Sequence, residues 1–386
     1  MKRLTVILLL ITPLCSAQIR LSDRAEISVL TLGPWQGELF TAFGHSAFRV
    51  SDPLNRIDLV YNYGVFDFDQ PNFYLNFARG YNLYMLGVYD YRRFEYAYIA
   101  ENRYIHEQVL NLTTARKQRL FDFLQENSLP ENREYYYDYF YDNCATKIPE
   151  VIEKVFGDSV KFDGSHIKTE YSIRELTDLY LKEQPWGDLG IDICLGLPTD
   201  KKASPREYMF LPDFVEAGFA NATILVDGEP QPLVRQKNVV YEPIPEEDIG
   251  RSLPHPLVVF TVFLAITALI TYRDFKRKKL TMPFDATLFA LLGIVGMLLL
   301  FLWTATNHQA AAKNFNLLWA LPTHLVAVVA FYRQPSWLKN YFKVTTAILV
   351  LMLVTWPLLP QKLNYFIIPL VIAIGMRAYS QWRLRK

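Results

Sequence analysis

The residue best suited to covalent chemistry is Cys144, set in the stretch YYYDYFYDNCATKIPEVIEKVF at residues 135–156. Ile148, Val151, Ile152, Val155 and Phe156 recur at helical spacing, so a helix with one apolar face follows the thiol. Asp142 and Asn143 are N-capping types immediately before it. Cys144 therefore falls in the first turn, where the helix dipole and free backbone N–H groups favour a thiolate. The thiolate is the nucleophilic form of cysteine. Pro149 lies later than the first helical position, so a separate or kinked first turn is expected.

A nucleophilic thiol needs a base. Among six histidines, His45 follows Gly44, which permits close approach, and opens a strand-like segment from His45 to Val50. The turn types Ser51 to Arg56 separate it from a second strand, Ile57 to Tyr63. Pairing Val50 with Ile57 places His45 opposite Asn62 on the same side of the sheet. Asn62 would then hold one ring nitrogen while the other faces the thiol; a slip by one residue offers Tyr61 or Tyr63 instead. His106, His166 and His255 lie in a strand or helix start, a polar stretch and a membrane boundary, and read as structural.

Around this pair, residues 26–32 alternate like a strand, and residues 114–127 form an amphipathic helix capped by Thr114. A short helix is expected over 173–182, a strand around Cys194 from Ile191 to Leu195, and strands over 222–226 and 233–241. Residues 66–99 are densely aromatic. They read either as core with an amphipathic surface or as an apolar surface at a membrane face that accepts acyl chains, with Arg79, Arg92 and Arg93 near phosphate.

The two ends of the chain set its compartment. Lys2 and Arg3 precede an apolar run from Leu4 to Leu14 and the small residues Cys15-Ser16-Ala17, so residues 1–17 read as a signal peptide. Residues 18–250 are mixed and form an exported domain, ending in a polar linker with Glu246, Glu247 and Asp248. Residues 251–386 are mostly apolar, with about five spanning segments at 255–272, 284–304, 315–332, 341–359 and 363–379. Arginines and lysines concentrate after the first and third segments and in the tail, which puts those parts in the cytoplasm and the exported domain outside the inner membrane. The net charge of +1 gives no electrostatic case for nucleic-acid binding. In an oxidising compartment, Cys144 and Cys194 could alternatively form a disulfide.

An outer loop of the membrane half carries Thr306, Asn307, His308 and Gln309, then the run Asn314 to Trp319. Polar groups at membrane depth are costly and often functional, although an interfacial belt of polar and aromatic residues is equally expected. His308, Asn314, Asn316 and Trp319 are candidate substrate contacts beneath the thiol domain, with Asn143 beside the thiol itself.

The segments Gly44-His45-Ser46-Ala47-Phe48-Arg49-Val50, Tyr61-Asn62-Tyr63-Gly64, Asp142-Asn143-Cys144-Ala145-Thr146 and Asn314-Phe315-Asn316-Leu317-Leu318-Trp319 together resemble the Lnb N-terminal periplasmic domain family. That family includes lipoprotein N-acyltransferases of diderm bacteria. The His-before-Cys order is also similar to the permuted NlpC-type papain-like fold. The resemblance implies an α+β papain-like periplasmic domain followed by an all-α membrane domain of about five helices. It implies that His45 accepts the proton of Cys144, and that Cys144 takes an acyl chain from a phospholipid donor as a thioester. The acceptor would be the α-amino group of a diacylated lipoprotein. A membrane-tethered cysteine peptidase or amidase, and a non-enzymatic envelope scaffold, are the alternatives. No metal-ligand spacing or nucleotide-binding loop is present to imply a cofactor.

Overall fold

A computed structural model of the protein describes residues 19–245 and 253–385. The leader at residues 1–17 and the acidic linker residues 246–248 lie outside the described residues.

The first domain is built on strands β1 (Glu26–Leu32), β2 (His45–Asp52), β3 (Ile57–Val65), β4 (Asn82–Asp90), β5 (Ile105–Leu110) and β6 (Glu134–Tyr137). Helices α1 (Phe73–Arg79), α2 (Tyr91–Ala100), α3 (Thr114–Asn127) and α4 (Cys144–Phe156) interleave with them. Further along lie β7 (Val160–Lys161), α5 (Ile173–Tyr180), α6 (Pro185–Cys194), α7 (Pro205–Tyr208), α8 (Pro212–Asn221), β8 (Thr223–Val226), β9 (Glu229–Pro232) and β10 (Val234–Tyr241). Seven strands form one antiparallel sheet in the order β10-β5-β1-β2-β3-β4-β6, and β7, β8 and β9 form a small second sheet. One face of the main sheet packs on α3, α4 and α8 through Val29, Phe48, Val50, Phe121, Ile148, Ile152 and Phe219. The opposite face packs on α2 through Leu30, Ala47, Val60, Tyr91 and Phe94.

The hairpin joining β2 and β3 pairs Asp52 with Ile57 and Phe48 with Tyr61, two residues away from the expected register. The reason lies in Asp52. Its carboxylate is fully buried and accepts from the N–H and hydroxyl of Ser22 at 2.7 and 2.6 Å and from the Asn55 side chain at 2.7 Å. This network holds Asp52 in the ladder, and the turn closes over residues 53–56. A slip of two keeps each side chain on its original face. The segment around Cys194 is helical, not a strand: Pro185 opens α6 at its first turn, and Leu189 and Asp192 turn inward from it. The cap of α3 is Thr113, one residue before the expected Thr114.

The second domain holds α9 (Pro256–Arg277), α10 (Met282–Thr304), α11 (His324–Ala330), α12 (Trp337–Val354) and α13 (Ile368–Leu384). Among the described residues, α9, α10 and α12 are long and apolar enough to cross a membrane. The expected third span is broken into a 3₁₀ turn, Phe315–Leu318, and the short α11, with Pro322 between them. Proline disfavours helical backbone in the residue before it, which separates the two pieces. The fifth begins as a 3₁₀ turn at Tyr365–Ile367 and continues as α13. Arg377 of α13 is fully buried and bonds Asp285 of α10 at 2.6 Å and Asp274 of α9 at 2.7 Å, so the charges meet inside the bundle.

Candidate active site

Cys144 is the first residue of α4. Asn143 caps the helix: its side-chain oxygen accepts from the N–H groups of Ala145 and Thr146 at 2.9 and 2.8 Å, and Thr146 Oγ1 accepts from the Asn143 N–H at 2.8 Å. The Asn143 amide in turn donates to the carbonyls of Tyr139 and Phe210. Asn143 is therefore occupied in fixing the helix start. The helix runs through Pro149 without a break. A proline in a helix interior costs about 3 kcal/mol. The buried Ile148, Val151, Ile152, Val155 and Phe156 each contribute about 1.5–3 kcal/mol, which outweighs it.

The thiol occupies a fork between two strands. The β2–β3 ladder stops at Phe48 and Tyr61, although β2 begins at His45 and β3 continues to Val65. Beyond that point the Ser46 N–H is near enough to the Cys144 sulfur to favour its thiolate. On the other side of the fork, a Cβ on Gly64 would lie 3.3 Å from Cys144 Cβ. Gly64 also has φ of +90°, a conformation that other residues rarely adopt. Cys144 thus comes from the α4 face of the sheet and meets His45, whose side chain lies on the α2 face.

His45 donates from Nε2 to Asn62 Oδ1 at 2.5 Å. It also faces the Cys144 sulfur closely enough for the two charges to act on each other. The structure therefore brings Cys144, His45 and Asn62 together. Asn62 is a diagonal neighbour across the ladder, and the two-residue register difference leaves it on the face of His45 and within reach. The Tyr98 ring stacks beside His45 with centroids 6.4 Å apart, and the Arg103 guanidinium lies over that ring at 4.4 Å.

Electrostatics favour the ion pair. Burial pushes the Cys144 thiol up, but the His45 charge and hydrogen bond, with the N–H groups of Ser46 and Ala145, bring it below its ordinary value. Burial pushes the His45 imidazole down, but the thiolate and the bonds to Cys144 and Asn62 raise it above its ordinary value. Thiolate and imidazolium stabilise one another. Both Cys144 and Cys194 are free thiols, so no disulfide joins them.

Tyrosines line the approach. Tyr135 and Tyr137 of β6 sit near the thiol, and their hydroxyls are held neutral first by burial and then by the Cys144 charge. The Tyr135 hydroxyl is buried beside the Gly64 N–H, and its proton has no acceptor among the described residues. The roles of Tyr98, Arg103, Tyr135 and Tyr137 are not visible in the sequence, because three of them depend on α2 and β6 reaching the fork from distant segments. The run of alternating tyrosines at 135, 137 and 139 is the one local signal.

The candidate contacts from the membrane half lie elsewhere. Asn314 donates to the carbonyls of Ile193 and Cys194 at 2.8 and 3.2 Å, and Asn316 to those of Asp192 and Ile193 at 3.3 and 3.2 Å. Trp319 Nε1 donates to Asn316 Oδ1 at 2.8 Å. All three residues are buried, and they satisfy the open carbonyls at the end of α6. Gln361 and Asn364 extend this clamp to Leu195, Asp188 and Asp192. His308 hydrogen-bonds the Phe77 carbonyl at 3.0 Å and so holds α1. None of these four is brought to the thiol; they dock the first domain on the second.

Asp178, Asp188 and Asp192 present carboxylate oxygens within 4.8 Å of one another beside this clamp. Arg174 bonds Asp192 at 2.6 Å and Asn364 bonds both Asp188 and Asp192, so protein groups already meet much of their charge.

Residues 17–178 match the family model described as the Lnb N-terminal periplasmic domain, and residues 248–386 match the Lnb transmembrane domain. No curated protein and no solved structure matches the chain.

Proposed function

We propose, from the premise that the chain belongs to the Lnb family, that it is a lipoprotein N-acyltransferase of the inner membrane working through a Cys144 thioester. Family membership makes it a membrane protein with a periplasmic part. The observation that carries the finer reading is the Cys144–His45–Asn62 constellation, held in a domain clamped onto membrane helices. The placement of the thiol on a helix start and the histidine on a strand is also what a papain-like domain requires, and we extend that likeness to this chain as part of the proposal.

The reaction runs in two halves. The Cys144 thiolate attacks an ester carbonyl of a phospholipid and forms a C–S bond. Negative charge develops on the carbonyl oxygen. In the first turn of α4, Ala145 and Thr146 donate to Asn143 Oδ1 and Lys147 donates to the Asn143 carbonyl. The Cys144 N–H remains to bind this oxyanion, and the Tyr135 hydroxyl, whose proton has no acceptor among the described residues, is a second donor. The C–O bond breaks, and His45 gives its proton to the departing lysophospholipid. The α-amino group of a diacylglyceryl-cysteine lipoprotein then attacks the thioester, forming C–N and breaking C–S. His45 takes the amine proton, and the thiolate–imidazolium pair is restored. Asn62 keeps the imidazole aligned throughout.

The decisive experiment is mass spectrometry of the N-terminal peptide of a model lipoprotein, made in cells depleted of their own N-acyltransferase. An amide-linked acyl chain is expected with wild type and absent with Cys144→Ser or His45→Ala. A folded, membrane-inserted wild type that adds no chain overturns the reading and favours the hydrolytic alternative on peptidoglycan or protein.

A further inference from the structure

Helix α1 is anomalous for an element of a folded domain. Its sequence FYLNFAR is mostly apolar, yet none of its residues is buried. Tyr74 is 75 % exposed, Leu75 55 % and Phe77 44 %. Phe68, whose ring meets Phe73 of the helix at 5.0 Å, is 58 % exposed. An apolar patch of this kind, left open on a domain surface, marks an interaction site.

Its position says what covers it. α10 ends at Thr304, and the loop that follows it holds α1 from below. The Asn307 N–H donates to the Arg79 carbonyl at 2.9 Å, and His308 donates to the Phe77 carbonyl at 3.0 Å. Gly80, with φ of +74°, lies so close that a Cβ would sit 3.0 Å from the Asn307 carbonyl carbon and the His308 nitrogen. The helix is thus fixed at the end of a spanning segment, where amphipathic helices bury their apolar side chains among lipid head groups and upper acyl chains.

From this helix a row of rings leads to the thiol. Phe77 meets Tyr139 at 6.4 Å, Tyr139 meets Tyr137 at 5.6 Å, and Tyr137 stacks on Tyr84 at 4.3 Å. The Tyr137 ring edge comes within 3.5 Å of the Cβ position of Gly64, which adjoins Cys144. The row of aromatic rings is continuous, and it joins the helix held by the α10 loop to the nucleophile.

We propose that α1 is the port by which one acyl chain of a phospholipid leaves the bilayer, passing over Leu75 and Phe77 and along Tyr139 and Tyr137 to Cys144. This rests on the reading of Cys144 as an acyl acceptor. The occupant is an acyl chain because the path is lined by rings and starts beside the end of a spanning helix.

The test uses the full chain with Cys144→Ser, reconstituted in vesicles of phosphatidylethanolamine and phosphatidylglycerol that include a phospholipid with a diazirine in its acyl chain. Irradiation and peptide mapping should place cross-links on residues 73–81 and 136–141. Cross-links confined to α9–α13 overturn the port. A second arm keeps the active thiol and compares Leu75→Glu with wild type. The ratio of Cys144 acylation by vesicle phospholipid to that by p-nitrophenyl acetate, a water-soluble ester, should fall at least tenfold. An unchanged ratio overturns the port. Wild type that accepts acetyl from the soluble ester but no chain from phospholipid sinks the acyltransferase reading itself, and the port with it. Cross-links at α1 in that case would leave a lipid contact without an acyl path.

Discussion

Gly64 and Cys144 approach across the open end of the β2–β3 ladder, with only 3.3 Å between Cys144 Cβ and the place a Gly64 side chain would begin. The gap is what lets a thiol from one face of the sheet reach an imidazole on the other. Gly64→Ala fills it with a methyl group and also forces a non-glycine residue to φ of +90°. Such backbone strain costs on the order of 1–3 kcal/mol. The variant is expected to unfold at lower temperature and to lose most Cys144 acylation. Thermal unfolding and acylation of the same preparation check this, and wild-type behaviour in both would remove the fork from the mechanism.

The ion pair makes a prediction about pH. The thiol titrates below its ordinary value of 9.0 and the imidazole above its ordinary 6.5. Each charged form favours the other, so thiolate and imidazolium occur together more readily than in separate groups. Iodoacetamide should alkylate Cys144 half-maximally below pH 9.0 in wild type. His45→Ala removes the opposing charge and leaves burial to act, so the midpoint should move up to or beyond 9.0. Asn62→Ala removes only one bond to His45, and an intermediate midpoint is expected. Identical profiles for all three proteins would contradict the pairing.

Much of this site was legible along the chain, and the reasons are local. Helical spacing after Cys144 and the Asn143 cap are sequence-near signals, and both appear as expected in α4. The His45–Asn62 contact survives a register two residues away from the expected one because the side-chain period of a strand is two. Asn314 and Asn316 show where local reasoning stops. Their polar side chains at membrane depth suggest a binding site, yet they serve the end of α6, more than a hundred residues earlier in the chain. Nothing near either residue announces that partner. Cys194 is a parallel case: its apolar neighbours suit a strand, but Pro185 and the docking loop select a helix.

That docking loop should be fragile to a single change. Asn316 is 2 % exposed, and its side chain joins two carbonyls of α6 to the indole of Trp319. Asn316→Leu keeps the volume but strands these groups, and each buried unsatisfied polar group costs about 1–3 kcal/mol. Expected outcomes are faster limited proteolysis between the two domains and reduced Cys144 acylation by vesicle phospholipid. Unaltered proteolysis would show that the clamp does not hold the domains together.

The carboxylate cluster beside the clamp gives the last prediction. Burial first, and then the charges of Asp192 and Asp188, push Asp178 up to about 8 from an ordinary 3.8. Asp188 is raised to about 6 by burial and Asp192. In the pH window between the ordinary and raised values, the folded protein holds a proton that the unfolded chain has released. Stability must therefore fall as pH rises through that window. The groups facing the cluster include Arg174 from α5, Asp200, and Asn364 and Lys362 from the membrane domain; Arg174 and Lys362 partly offset the effect, and Asp200 adds to it. Asp178→Asn keeps the shape and removes the most strongly shifted acid. Between pH 5 and pH 8.5, the melting temperature of the full-length protein should decline less in this variant than in wild type. Parallel declines would place the pH sensitivity elsewhere in the molecule.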